Sequence, residues 1–100
     1  MSYKYILKDK KPVLCDDIIE WGTWFEKANK HVKNDHVTVR GKKIHISTVF
    51  LGLDHGYDGE VLLFETIIFG GENDEERWRY ATWDEAEAGH KKALDLVKLK

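Results

Sequence analysis

Glu65 interrupts the apolar run Val61-Leu62-Leu63-Phe64-Glu65-Thr66-Ile67-Ile68-Phe69. A carboxylate buried in such a run is costly unless it is paired or hydrogen-bonded. Arg79, on the last segment with strand character, is the partner expected for it. A cross-strand ion pair on a solvent face, a ligand contact and acid–base work are the roles open to this pair. Asp54-His55 is the second feature, because a carboxylate beside an imidazole can hold the ring and tune its proton affinity. Neighbours in sequence often point apart, however, and Asp-His-Gly is also ordinary turn chemistry. His90 falls on the inward stripe of a C-terminal helix, where a lone histidine is usually a hydrogen-bonded core residue. His55, Glu65 and His90 together would offer three ligands of the kind zinc takes in a metal-assisted hydrolase, but no H-E-x-x-H spacing supports the set. His45 shares a strand face with Ser47, and without a third orienting group that pair is weak ground for nucleophilic catalysis.

No catalytic residue is assigned from these features. Glycines are scattered without a G-x-G-x-x-G or P-loop pattern, so no nucleotide cradle of the standard kind and no cofactor is expected. Cys15 is the only cysteine, which excludes an intrachain disulfide and a thiolate metal site. The aromatics are the other signal. Trp21, Trp24, Trp78, Trp83, Tyr57 and Tyr80 are many for 100 residues, and an exposed one can stack on a base or anchor a protein partner. Trp24 and Tyr57 are expected to be the exposed ones. With Asp54, His55, Glu65 and Arg79 they form the expected ligand or partner contacts.

The elements that must position these residues follow from periodicity. Tyr3–Leu7 alternates as a strand, and Val13-Leu14 returns after the turn Asp9-Lys10-Lys11-Pro12. Asp17 and Glu20 form a capping box, and Ile18, Trp21, Phe25 and Ala28 recur at helical spacing, predicting a helix over about 17–31. Gly41-Lys42 reads as a hairpin turn between 37–40 and 43–47. The stretches 44–53 and 61–69 are apolar at both parities, as in strands covered on both faces, and read as a central antiparallel hairpin. Arg77-Trp78-Arg79-Tyr80-Ala81 alternates, with the two arginines on one face. Thr82 and Glu85 cap a last helix over about 83–98. The expected architecture is α+β: an antiparallel sheet of four to six strands with two helices packed on one face, in a single domain over 1–100.

Composition narrows the partners. The formal net charge is −2, whereas a grip on duplex phosphates usually comes with a strong basic excess. Duplex nucleic acid is therefore not expected. No apolar run approaches the roughly 18 residues of a membrane span, and nothing at the N-terminus resembles a signal peptide. A reducing cytoplasm is the expected setting.

Three segments carry a further pattern: Ser47-Thr48-Val49-Phe50-Leu51-Gly52-Leu53-Asp54-His55, Leu63-Phe64-Glu65-Thr66, and Arg79-Tyr80-Ala81-Thr82-Trp83-Asp84-Glu85-Ala86-Glu87-Ala88-Gly89-His90. Together with Tyr5-Ile6-Leu7 and the Glu20-Trp21…Trp24-Phe25-Glu26 helix, they resemble a group of small phage and prophage proteins of unassigned function. That group carries S-T-V-F-L-G-L-D-H, L-F-E-T and R-Y-x-T-W-x-E-A-x-x-G-H. The resemblance implies a viral gene product acting in the cytoplasm of a bacterial host, and it brings no activity with it. A chain this small has little room for catalytic apparatus. The function expected is a non-enzymatic binding protein, an inhibitor or small-ligand sponge directed at a host defence system. Its partner would be a host protein or a small nucleotide-like ligand, with a homo-oligomer left open. A virion or assembly component and the metal-assisted hydrolase are the alternatives.

Overall fold

A computed structural model of the chain describes residues 3–56 and 59–98. β1 (Tyr5–Lys8) and β2 (Lys11–Leu14) form a short antiparallel hairpin. Lys8 pairs with Lys11, so Asp9 and Lys10 make a two-residue loop, both at positive φ, the turn geometry whose twist suits a hairpin. Next comes α1 (Ile18–Lys27). Asp17 is its N-cap, accepting the backbone N–H of Ile19 at 2.9 Å and of Glu20 at 3.2 Å, which satisfies donors that have no partner inside the helix.

The helix ends four residues short of the expected 31. Lys30 explains the stop: its ammonium donates to the carbonyls of Phe25 (2.5 Å) and Ala28 (3.2 Å) and lies 4.4 Å from the Phe25 ring centroid. A cation that caps the last carbonyls in this way closes a helix. The chain then runs straight into β3 (His31–Val39), much longer than the strand expected over 37–40.

β3, β4 (Lys42–Phe50), β5 (Phe64–Phe69) and β6 (Arg77–Tyr80) form an antiparallel sheet in that order, and α2 (Trp83–Lys98) closes the fold. The central hairpin is β4 with β5, paired from His45↔Phe69 to Phe50↔Phe64. Val39 pairs with Lys42, so the β3–β4 turn is Arg40-Gly41, both at positive φ, one residue earlier than the expected Gly41-Lys42. Moving a two-residue turn by one position changes the register by two residues, so each β3 side chain keeps its face and meets a different partner: Ile44 lies opposite Val37 rather than Val39.

The register sorts the strands cleanly. Val37, Ile44, Ile46, Thr48, Phe50, Phe64, Thr66, Ile68, Trp78 and Tyr80 face α2. Two apolar clusters fill that side. One joins Ile44, Ile46 and Ile68 to Ala93 and Val97 of α2, and the other joins Phe50, Leu63 and Phe64 to Ala86. Each fully buried large side chain contributes about 1.5–3 kcal/mol. α1 lies on the same side, with Trp24 meeting Phe50 edge-on at 5.8 Å and 87°. Trp21 ties α1 to the β1–β2 hairpin: its Nε1–H donates to the carbonyls of Tyr5 (3.0 Å) and Gly52 (3.2 Å). Gly52, at φ 76°, ends the β4 run. A Cβ there would lie 2.6 Å from a Phe25 ring carbon and 3.4 Å from one of Trp21, so the glycine seats these two rings of α1.

Two expectations are corrected. The β4–β5 hairpin is covered on one face only, because both helices lie on the same side. Burial in β4 accordingly alternates from Ile44 onward between buried and half-buried positions. And Ile18, placed on the inward stripe of α1 by its spacing, is 65% exposed, so that α1 buries no residue fully. Among the described residues no helix is long and apolar enough to cross a membrane.

Candidate functional site

The uncovered face carries Asn34, His36, Lys43, His45, Ser47, Val49, Glu65, Ile67, Phe69, Arg77 and Arg79. Register stacks them in rows across the strands. In one row His36, His45 and Phe69 are directly opposite one another. The two imidazoles lie parallel (4.2 Å between centroids, 5° between planes), and the His45 ring stacks on Phe69 at 5.5 Å and 27°. Asn34 holds His45 through its amide oxygen. An amide oxygen only accepts, so Nε2 of His45 carries the hydrogen and Nδ1 is left with its lone pair. Burial lowers the proton affinity of His45, helped by the repulsion of His36, then His31, then His90. The neutral ring is therefore favoured, and neutral rings can stack.

Another row sets Glu65 against Arg79. Arg79 Nε donates to Glu65 Oε2 at 2.8 Å, and Glu65 is 6% exposed. Glu65 thus lies on the open face yet is buried by its neighbours, and the ion pair makes that burial tolerable. It is the one carboxylate on this face among the described residues, against Lys43, Arg77 and Arg79. Neither Lys43 nor Arg77 has an ion-pair partner there. The face can therefore offer the outer ring faces of His36 and Phe69, at the two ends of the stack, and two cations that have no ion pair among the described residues.

The covered face holds a second arrangement, between its two apolar clusters. Thr48, Thr66 and His90 are buried there, His90 at 1% exposure. His90 bonds through both nitrogens: Nε2 to Asp35 Oδ2 at 2.7 Å and Nδ1 to Thr48 Oγ1 at 2.7 Å. Thr48 and Thr66, directly opposite in register, join hydroxyls at 2.5 Å. The chain Asp35–His90–Thr48–Thr66 thus runs under α2 from β3 to β5. The His90 contact holds the Asp35 carboxyl below its ordinary proton affinity, opposed by burial and aided by the charges of His90, Lys33 and Lys98. Burial raises the proton affinity of the Tyr80 phenol on β6, opposed in part by Thr66. Acid, imidazole and hydroxyl in sequence suggest an activated nucleophile, but Thr48 has no exposed surface and cannot meet a substrate. Asp35, Thr48 and Thr66 were not singled out from sequence. The available signal was two threonines sharing the parity of Phe50 and Phe64, with His90 on the facing stripe.

The remaining expected residues do not converge. Asp54 organises its loop, its Oδ1 accepting Gly56 N–H at 2.8 Å and Leu62 N–H at 3.1 Å. His55 is held through its backbone N–H to the Leu62 carbonyl (3.0 Å), and no hydrogen bond joins the Asp54 carboxylate to the His55 ring among the described residues. Trp24 is half-buried against Phe50 and is not the exposed anchor expected. Tyr57 lies outside the described residues. The set His55, Glu65 and His90 is overturned as a metal site: Glu65 and His90 lie on opposite faces of the sheet, each held by another partner. Among the described residues no three His, Cys, Asp or Glu side chains are grouped to hold a metal ion.

Beside Tyr80 a cleft of ≈ 510 Å³ opens between β6 and α2, lined by Trp78, Tyr80, Glu85, Gly89, Lys92 and Leu96 among others. Gly89 makes room for the phenol: a Cβ on it would lie 2.2 Å from the Tyr80 hydroxyl oxygen. Glu85 is occupied by the helix cap, accepting from the Thr82 backbone N–H at 3.1 Å, while Lys92 has no ion pair among the described residues. No family model matches the chain, and neither curated proteins nor solved structures give a significant match.

Proposed function

We propose that the chain is a small phage-encoded binding protein. In this reading it works in the cytoplasm of a bacterial host and holds a nucleotide-like ligand on the open face of its sheet, inhibiting or depleting what a host defence system needs. The observation that carries the binding is the row His36, His45 and Phe69 beside the unpaired Lys43 and Arg77. The stack leaves the outer ring faces of His36 and Phe69 to accept a base, and cations beside them accept its phosphate. The phage setting and the host target rest on the three sequence segments alone. Glu65 and Arg79 serve this reading as the rigid end of the face, since their mutual bond leaves neither free for acid–base work.

Titration of the labelled protein with AMP and with a four-nucleotide single strand tests it by amide shifts. Expected are shifts confined to β3, β4, β5 and β6 positions on the open face. Affinity should fall with salt, and Phe69→Ala should weaken binding by about tenfold, the scale of one base–aromatic stack. No shift on this face at millimolar nucleotide would sink the reading. Recovery of the protein in purified virions would move it to an assembly role, and a host protein protecting the same face would replace the nucleotide.

A further inference from the structure

The sheet ends on β6, and the backbone of β6 is only half used. Its bonds to β5 come from alternate residues: the Tyr80 carbonyl accepts the Leu63 N–H at 2.9 Å, and the Glu76 carbonyl accepts the Ile68 N–H at 3.0 Å. Trp78, midway between them and opposite Thr66, keeps the same phase. Alternation in an antiparallel pair therefore turns the N–H and C=O of Arg77 and Arg79 away from β5, to the side where no further strand lies among the described residues. The side chains divide by the same parity. Arg77 and Arg79 stand on the open face, while Trp78 and Tyr80 line the cleft beside α2.

Short strands and charged side chains blunt an edge against pairing with other chains, and β6 has four residues and two arginines. Two features exceed that need. One is the cleft of ≈ 510 Å³, lined on the helix side by Ala88, Gly89, Ala93 and Leu96, since blunting an edge calls for no apolar space next to it. At the other edge of the sheet, the cavity between Lys33 of β3 and α2 is ≈ 190 Å³ and carries Glu87, His90 and Lys91. The second feature is the sign of the charges. Arg77 and Lys92 have no ion pair among the described residues, and Glu85, the carboxylate lining the cleft, accepts from Thr82 at the helix cap.

An extended peptide added as a fifth strand fits both features. In that mode backbone bonds hold the segment and pockets read its alternate side chains. Paired antiparallel, residues opposite Arg77 and Arg79 exchange backbone bonds with them and set their side chains beside the two guanidiniums. Residues opposite Trp78 and Tyr80 turn into the cleft. The pattern that suits is acidic on the outside and apolar on the inside.

We propose that the β6 edge and the cleft beside α2 form a docking site for an extended segment of a partner protein in which acidic and apolar residues alternate. This site is separate from nucleotide binding on the open face and does not depend on it. Arg77 borders both surfaces, so α2, which faces away from the nucleotide surface, supplies the deciding signals.

The probe is acetyl-Glu-Leu-Glu-Leu-Glu-amide, followed by amide shifts of the labelled protein. Shifts are expected at Ala88, Gly89 and Lys92, together with slowed exchange of the Arg77 and Arg79 amides. N-methylation of the central glutamate removes an N–H that faces the edge and should weaken binding about tenfold, the scale of one hydrogen bond. N-methylation of the leucine after it, whose N–H points away from β6, should change affinity less than about twofold. Ala88→Phe, at an exposed position, fills the cleft and should abolish binding with the fold intact. Arg77→Glu should weaken binding about tenfold, because it sets like charges side by side. Absence of shifts on α2 at millimolar peptide overturns the site, whatever a nucleotide does on the open face. Equal losses from the two methylations overturn strand addition. Shifts confined to β3, or Arg77 and Arg79 amides that slow in the peptide-free protein as its concentration rises, overturn the proposal in favour of the other edge or of a second copy.

Discussion

The four strands present two faces built from the same kinds of residue, and the two faces dispose of polarity differently. Under α2, every polar side chain of the central belt is matched to another: Asp35 to His90, His90 to Thr48, Thr48 to Thr66. On the open face the matching stops part way. His45 has Asn34 and Glu65 has Arg79, while Lys43, Arg77 and the exposed ring of Phe69 face outward. Water explains the difference. A buried polar group without a partner costs about 1–3 kcal/mol, so the dry belt is closed, with Trp83 Nε1 beside it the one buried side-chain polar atom left without a partner among the described residues, whereas the wet face can leave groups unspent for a ligand.

The sharpest way to break this contrast is to truncate one phenylalanine on each face. Phe50→Ala, on the covered face, should cost about 3–5 kcal/mol in urea denaturation, enough to leave a domain of this size barely folded. Phe69→Ala, 46% exposed on the other face, should cost less than about 1 kcal/mol. Comparable losses would show that something covers the open face after all. A middle-sized effect separates the two arginines. Arg79→Ala strands the buried Glu65 carboxylate and should cost about 1–2 kcal/mol, reduced from the buried-pair value because Arg79 itself is partly exposed. Arg77→Ala should be neutral within about 0.5 kcal/mol. If Glu65→Gln in the Arg79→Ala background restores nothing, the stranded charge was not the cause.

The smallest effect is the most selective. His45 binds its proton less readily in the fold than free in solution, so its contribution to stability is complete above the ordinary value of 6.5. It is lost as pH falls from there through the depressed value. Asp35, lowered from 3.8, keeps its contribution down to that pH and loses it below. Denaturation between pH 7.5 and 5 should therefore show the loss of the His45 contribution, with that of Asp35 following only in stronger acid. His36→Asn should shrink the first loss. Equal stability at pH 7.5 and 5 would show that the imidazole stack is not coupled to folding.

Much of this architecture was legible in the sequence because local rules decided it. The N-cap at Asp17 (without the reciprocal bond from Glu20 that a full capping box has), the capping box at Thr82–Glu85, the parity of Arg77 and Arg79, and the pairing of Glu65 with Arg79 all follow from neighbours in chain or register. The misreadings have a common cause. Arg40 and Gly41 form the turn expected at Gly41 and Lys42, and with that shift each β3 residue meets a different β4 partner on the same face. The end of α1 is decided by Lys30, which lies beyond the helix and acts through its side chain. The hydroxyl belt was invisible because a threonine at core parity looks like any β-branched strand residue until its partner is known. Asp35 and His90 are 55 positions apart, and no local pattern couples them.

The indole of Trp21 has a consequence for how the molecule comes apart. α1 buries no residue fully, and Ile18 and Ile19 at its start remain in water. Its hold on the rest is the two bonds from one nitrogen, the rings seated at Gly52, and the edge of Trp24 on Phe50. The belt and both apolar clusters draw their fully buried residues from the sheet, from Leu63 just before β5, and from α2. Amide exchange is therefore expected to be hierarchical, fastest in α1 and slowest in the central strands and α2. A segment held this way can open without global unfolding, and the indole ring would be the latch on it.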